Sequence, residues 1–304
     1  MQTGTVAIIL VAAVAHAVWN TVSKYKRGDT FIFVWSYTCL ATLLCLPLGI
    51  APVITGVQPL SWQLAIGCLV SAVLHVVYSL TLQTGYDRYA VGVVYPVARG
   101  TGPVLTMVTA ILLLGERPST SAILGAVVVV AGIVIVAGNP FRSGQGHASR
   151  GVLWGVATGT AIAAYTLWDS YAVTSLQLAP ISYFTGTFLL QSIVLTPRAL
   201  RRATRISATD GSVPRPDAGL CHRIRAEAGA DLKPIVTVAV LSPVAYILVL
   251  TAMQNAPVAL VAPLRESSIV IGSLLAWWLF KEAHLGRRII GALVVLMGIA
   301  AVSL

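Results

Sequence analysis

Charge is what this sequence has least of. Only 10% of its 304 residues are charged, against about 25% in a typical soluble domain. That is too little to coat a surface facing water, which excludes an ordinary soluble protein. Cysteine is also scarce. Cys39, Cys45, Cys68 and Cys221 are the four present, three lie inside apolar runs, and none has metal-ligand spacing. Neither a disulfide framework nor a zinc site is expected. No GxxxxGK[ST] loop occurs, so an ATP-driven pump has no support. The HExxH and GxSxG patterns are missing too, which removes the common membrane hydrolase chemistries. The longest stretch outside the apolar runs is 198–233, too short for a soluble catalytic or sensory domain. No cofactor is implied. The opening Met1-Gln2-Thr3-Gly4-Thr5 has no positive charge, so Ala15-His16-Ala17 is not read as a signal-peptide cleavage site.

Apolar residue types are abundant: 57% of the chain, with a mean hydropathy of +0.85. A spanning helix needs roughly 20 mostly apolar residues. Ten such stretches are present: 3–23, 30–52, 60–84, 90–114, 119–138, 151–173, 179–197, 234–254, 258–280 and 286–304. Pro47 and Pro52 make the second the least regular. Runs such as Gly125–Gly138 do not alternate, which excludes the strands of a membrane β-barrel. The expected fold is all-α and integral to the membrane, with ten transmembrane helices.

The two halves resemble each other. His16-Ala17-Val18-Trp19-Asn20 in the first span answers Tyr165-Thr166-Leu167-Trp168-Asp169 in the sixth. Tyr95-Pro96-Val97-Ala98-Arg99 answers Ala262-Pro263-Leu264-Arg265-Glu266. Leu114-Gly115-Glu116 answers Phe280-Lys281-Glu282, and Gly125 and Gly132 answer Gly291 and Gly298. Two repeats are expected, 1–140 and 150–304, the second carrying a basic loop insertion at 198–233. Five spans is an odd number, so the second copy enters the membrane inverted. Inverted repeats are an architecture of secondary transporters, which rock around a site near the midplane.

The net charge of +10 does not point to nucleic acid, because the basic residues sit in short loops. Seventeen lysines and arginines follow odd-numbered spans, eight of them in 198–233. Only Arg117 follows an even-numbered span. Positive loops stay cytoplasmic, so both termini are expected outside. The loop 198–233 would lie near anionic headgroups.

Ionisable groups at bilayer depth cost about 2.5–3.5 kcal/mol each on insertion scales, yet six are retained: His16, His75, Arg99, Asp169, Arg265 and Glu266. Spacing of four places His16 with Asn20, His75 with Ser79, Tyr95 with Arg99, and Tyr165 with Asp169 on shared helix faces. Stripes from spans 1, 3, 4, 6 and 9 are expected to converge on one cavity. Pro96 and Pro263 precede the two arginines, and bent or broken helices at matching places point to a binding site. The candidate substrate-binding set is Arg99, Arg265, Glu266, Asp169, His16, Asn20, Trp19, Trp168, Tyr95 and His75. A guanidinium fork suits carboxylate or phosphate, so an anionic or zwitterionic metabolite is expected. Histidine or Asp169 would carry a coupling proton. The competing reading makes the charges structural ion pairs, and Trp19, Trp168 and Tyr95 packing residues. Gly151, Gly155 and Gly159 read as a close-packing groove. Glu116 and Glu282 read as exposed turn residues.

On the paired motifs above, together with Gly100, Arg117, Ser267, Ser268 and the glycines of the fifth and tenth spans, the chain resembles the drug/metabolite transporter superfamily, specifically its ten-helix EamA-type members. The resemblance covers nearly everything except 198–233. It implies a multi-pass inner-membrane carrier of small metabolites, often an exporter, with a cavity between the repeats. Members usually place both termini in the cytoplasm, whereas the charge distribution here implies the reverse. The function expected is a gradient-coupled secondary transporter. Its partners would be a small-molecule substrate, the lipid bilayer, a proton or ion, and a second copy of the chain as a candidate. A membrane enzyme acting on a lipid-linked substrate and a non-transporting sensor or assembly factor are the alternatives. The first lacks a surface cluster of carboxylates or histidines, and the second lacks an output domain.

Overall fold

The computed structural model describes residues 2–23, 25–89, 91–137, 148–209, 229, 231–271 and 285–303. Among these the regular structure is entirely helical, with no strand. Ten helices follow in order: α1 Thr3–Ser23, α2 Thr30–Ile54, α3 Trp62–Arg88, α4 Val91–Leu113, α5 Thr120–Ala137, α6 Ala148–Thr174, α7 Pro180–Thr209, α8 Leu232–Met253, α9 Val258–Arg265 and α10 Leu285–Ser303. Each expected span has its helix. Residues 3–23, 30–54, 62–82 and 232–253 are long and apolar enough to cross a membrane by length and composition, and 97–113, 120–135 and 289–301 are shorter apolar helices. Large apolar side chains stay outward, as on α10 at Ile289, Ile290, Leu293, Leu296 and Met297. Such faces need a hydrocarbon solvent.

Local chemistry explains the ends. Asp29 caps α2, accepting from the backbone N–H of Phe31 at 2.8 Å and Ile32 at 3.1 Å. Ser61 and Ser119 do the same at α3 and α5, accepting from Leu64 and Ala122. Pro180 opens α7, where its missing donor costs nothing. Inside the helices threonines donate back to the carbonyl four residues earlier, as Thr42 does to Thr38 and Thr158 to Trp154. That satisfies their hydroxyls without water.

Several boundaries shift from expectation by a few residues, and two of the shifts involve prolines. Helix α2 runs through Pro47 and Pro52 to Ile54. Helix α7 continues past Pro197 to Thr209, so 198–209 is helical rather than loop. Arg198, Arg201, Arg202 and Arg205 recur at helical spacing along it. Arg202 Nε donates to Asp29 Oδ2 at 2.8 Å and the Arg198 guanidinium lies over the Phe31 ring at 5.7 Å.

The chain divides into two compact units. One comprises Met1–Ala17, Val73–Leu178 and Ala245–Leu304; the other comprises Val18–Ala72 and Ala179–Val244. In the first, α4 packs on α6, α5 on α10, and α9 on α4, α5 and α6. The glycines explain the closeness. A Cβ on Gly155 would meet Val97 Cβ at 2.6 Å, and one on Gly159 would meet the Ala98 carbonyl oxygen at 2.9 Å. The Gly151–Gly155–Gly159 stripe therefore seats α4 against α6, as the close-packing reading expected. A Cβ on Gly298 would likewise meet the Gly125 oxygen at 2.7 Å. In the second unit α2 packs on α7 through hydroxyls. Ser182 donates to the Gly49 carbonyl at 2.7 Å and Thr42 meets Ser192 at 3.0 Å. Asp231 accepts from the backbone N–H of Arg27 and Gly28 at 2.8 and 2.9 Å.

Candidate functional site

The first unit collects the ionisable residues. Arg99 on α4 is seated by the α6 glycines, and Nη1 donates to Glu266 Oε2 at 2.9 Å. Arg265 closes α9. Its Nη2 and Nε donate to Glu266 Oε1 at 3.0 and 3.2 Å, and its Nη1 lies 3.5 Å from Thr166 Oγ1. One carboxylate is thus shared by two guanidiniums, a different oxygen for each arginine. Arg99, Arg265 and Glu266 are 7%, 3% and 1% exposed, so these pairs are shielded from bulk water. His16 on α1 joins them, with Nε2 3.4 Å from Arg99 Nη2.

A second group gathers around Asp169 on α6, which is fully buried. The Tyr246 hydroxyl, from α8, donates to Asp169 Oδ2 at 2.5 Å, and His75 Nε2, from α3, lies 3.8 Å from the same oxygen. Aromatic rings surround the pair. His75 stacks at 4.2 Å on Tyr165 and meets Tyr246 edge-on at 5.5 Å, and Tyr78 stands 5.3 Å from Tyr165. Arg265 links the groups, its guanidinium 5.9 Å from the Tyr165 ring centre.

The ninth helix breaks where the charges meet. Helix α9 ends at Arg265, and Glu266 and Ser267 form a turn before helix resumes at 268–271. The remainder of the expected span 258–280 lies outside the described residues, as do Glu282 and Cys221.

Of the expected set, Arg99, Arg265, Glu266, Asp169, His16 and His75 fall in these two groups. Trp168 stands on α6 with its ring 5.8 Å from that of Tyr171. Trp19 and Asn20 belong to the other unit, where Trp19 packs against Phe33, Ile235 and Val238. Tyr95 lies on α4, and its side chain is outside the described part. Tyr246 and Thr166 were not anticipated. Tyr246 carried a weak signal, a hydroxyl three residues after Pro243 in an apolar run. Glu116 is a correction: the exposed turn residue expected there is instead half-buried and accepts from the backbone N–H of Val258 at 2.9 Å and Ala259 at 3.0 Å. Two donors at a helix start outweigh hydration for that carboxylate.

Comparison with known proteins follows this geometry. The model of the EamA-like transporter family matches residues 3–138 and again residues 149–304. The chain belongs to the EamA-like transporter family. It is a multi-pass membrane transporter of the drug/metabolite type, which bears out the expected family and the all-helical class. A small-molecule solute and membrane lipid are its partners on that ground. No curated protein matches the chain. A solved structure titled only "Crystal structure of protein" superposes with a TM-score of 0.70 at 16% identity, covering 99% of this chain and 96% of that one. At that identity the likeness is one of fold. In this EamA-like transporter the buried ionic cluster is therefore set in a transporter fold.

Proposed function

We propose that the chain is a secondary active transporter that exports a small anionic or zwitterionic metabolite across the inner membrane by alternating access. The observation that carries this is the 2:1 ratio of buried guanidiniums to the carboxylate between them. Guanidiniums are expensive inside a bilayer, and an anionic solute would offer these two a further acceptor. Guanidinium donors suit a carboxylate or phosphate. Segments 1–140 and 150–304 would act as the two inverted repeats, rocking about this cluster.

Asp169 is the group we assign to gradient coupling. Its carboxylate is buried and faces the Tyr246 hydroxyl and the His75 imidazole. Gaining or losing a proton there changes the charge of the site. Both termini would face outside, from the distribution of lysine and arginine.

The test is a thermal-shift screen of the purified protein with amino acids, organic acids, phosphorylated and phosphonate metabolites, and amines, on wild type and Arg99→Ala. A ligand that stabilises only the wild type supports an anion site and names the class. Stabilisation by amines that survives Arg99→Ala would sink the reading and move the site to Asp169. For coupling, transport of that ligand into proteoliposomes indifferent to a proton gradient would remove Asp169 from its role.

A further inference from the structure

We infer that Glu116 is a positioning residue: its carboxylate fastens the loop after α4 to the first turn of α9, and so holds Arg265 and Glu266 against Arg99. The inference rests on the anion-site reading for its consequence in transport, but not for the latch itself.

The backbone of α9 carries the argument. The first four N–H groups of a helix have no partner within it. Pro257, at the cap position, makes no side-chain cap bond. Its carbonyl accepts from Leu260 and Val261 at 3.0 and 3.1 Å. That leaves Val258 and Ala259, both buried. Glu116 takes both, one carboxylate oxygen for each, from a position more than a hundred residues earlier in the chain. In a membrane protein the two donors have little water to turn to, and a carboxylate at a helix N-terminus adds a favourable charge–dipole term.

Glu116 is aimed from the other side. Gly115 takes a φ of +69°, a left-handed conformation that glycine adopts without strain. The N–H groups of Leu114 and Glu116 both return to the Ala110 carbonyl, at 3.2 Å each. The end of α4 is therefore wound tightly just where Glu116 leaves it. Between the latch and the ion cluster lies only α9, two turns long and about 12 Å by helix geometry. A helix this short and this buried moves as a unit. Displacement of its start would carry Arg265 and Glu266 away from Arg99, so the ion cluster is closed at one end of α9 and the latch at the other.

Glu116→Gln is the test. The amide offers one acceptor, and its NH2 group would face a backbone donor. Full-length protein in lipid nanodiscs would be compared by hydrogen exchange and by labelling of arginine with phenylglyoxal, well below its unfolding temperature. The expected result is about tenfold faster exchange of the Val258 and Ala259 amides, the loss of one to two bonds. Phenylglyoxal labelling of Arg99 and Arg265 should rise at the same time, and exchange in the α5–α10 pair should not change. Glu116→Asp, which keeps both oxygens on a shorter stem, should fall between. A lowered unfolding temperature with unchanged arginine labelling would make Glu116 merely structural and overturn the inference. If neither variant folds, wild-type Val258 and Ala259 amides that exchange as fast as unprotected loop amides would overturn it, and protected amides would support it. The two readings fail separately. Raised arginine labelling with no anion stabilising the wild type leaves the latch and removes the anion site. Anion stabilisation equal in both proteins, with unchanged labelling, does the reverse.

Discussion

Arg99 and Arg265 stand on answering helices of the two halves, three residues after Pro96 and two after Pro263, yet their helices behave differently. Helix α4 runs from Val91 to Leu113 through Pro96 and Pro103. Helix α9 stops at Arg265. Proline removes a backbone bond and weakens a helix, but here it does not decide whether the helix ends. What differs is the neighbour of the arginine. Side chains at adjacent positions do not face each other on a regular helix. Arg265 nonetheless reaches Glu266, and the contact forms where α9 has ceased to be one. The backbone shifts to bonds three residues back, Glu266 to Pro263 and Ser267 to Leu264 at 3.1 Å each, and Ile269 to Glu266 at 2.9 Å. After Arg99 comes Gly100, with no side chain to turn back, and α4 continues. The broken half supplies the acid, and the continuous half adds a second cation to it.

The largest effect that would break this comparison comes from Glu266. Glu266→Gln leaves two buried guanidiniums without their shared carboxylate, and removing one partner of a buried pair costs about 3–5 kcal/mol. Thermal unfolding in detergent should show Glu266→Gln well below Arg99→Ala, because Arg99→Ala leaves Glu266 still bonded to Arg265. The reverse order would mean that the cluster is not organised around Glu266.

A smaller effect separates the two arginines. Arg265 meets Glu266 through Nε and Nη2 together, Arg99 through Nη1. Lysine is a point charge and cannot reproduce a fork. Arg265→Lys should therefore cost about 1–3 kcal/mol more than Arg99→Lys, the scale of a charge-assisted hydrogen bond. Equal unfolding temperatures for the two variants would show that the fork is not what holds the broken helix.

Most of the architecture was legible. The ten apolar runs correspond to ten helices because lipid-facing segments must be apolar at almost every position, and that signal survives any packing detail. The glycine stripe of α6 was legible for a similar reason: only a residue without Cβ permits the approach of Val97 and Ala98. Six of the ten candidate site residues fall in the two polar groups because burying a charge is costly and leaves a mark in the sequence. The pairing itself was not legible. Sequence spacing relates residues on one helix, while Glu266 chooses between Arg99 and Arg265 by tertiary approach. Tyr246 was hidden because a tyrosine in an apolar run is ordinary. Glu116 was misread because a carboxylate near a Gly turn is usually solvated, and its partner donors lie on a helix distant in sequence. The apolar run ends at 197 and the arginines that follow read as loop, but α7 continues to Thr209, because apolarity marks where a span ends and not where a helix does.

Seating of α4 should cost less than loss of the arginine fork, though still clearly measurable. A Cβ on Gly159 would lie 2.7 Å from Thr101 Cβ and 2.9 Å from the Ala98 oxygen. Gly159→Ala must push α4 away from α6, and overpacking of this kind costs about 1–3 kcal/mol. Because α4 carries Arg99, the variant should also weaken any anion stabilisation found for the wild type. Unchanged anion stabilisation in a folded Gly159→Ala protein would show that the α4 seat does not set the position of Arg99.

The smallest expected effect bears on why α4 is continuous. Among the described residues, a Cβ on Gly100 would meet only Val134 Cγ2, at 3.9 Å, an ordinary contact. Glycine in a helix interior is less favourable than alanine by roughly 0.5–1 kcal/mol. If Gly100 matters only because it carries no charge, Gly100→Ala should be neutral or stabilising by up to about that amount, with Arg99 still paired. A loss of stability, or of Arg99 protection from phenylglyoxal, would mean instead that the bare backbone at Gly100 is needed. The difference between the two proline helices would then lie in access to the backbone and not in the charge that follows the arginine.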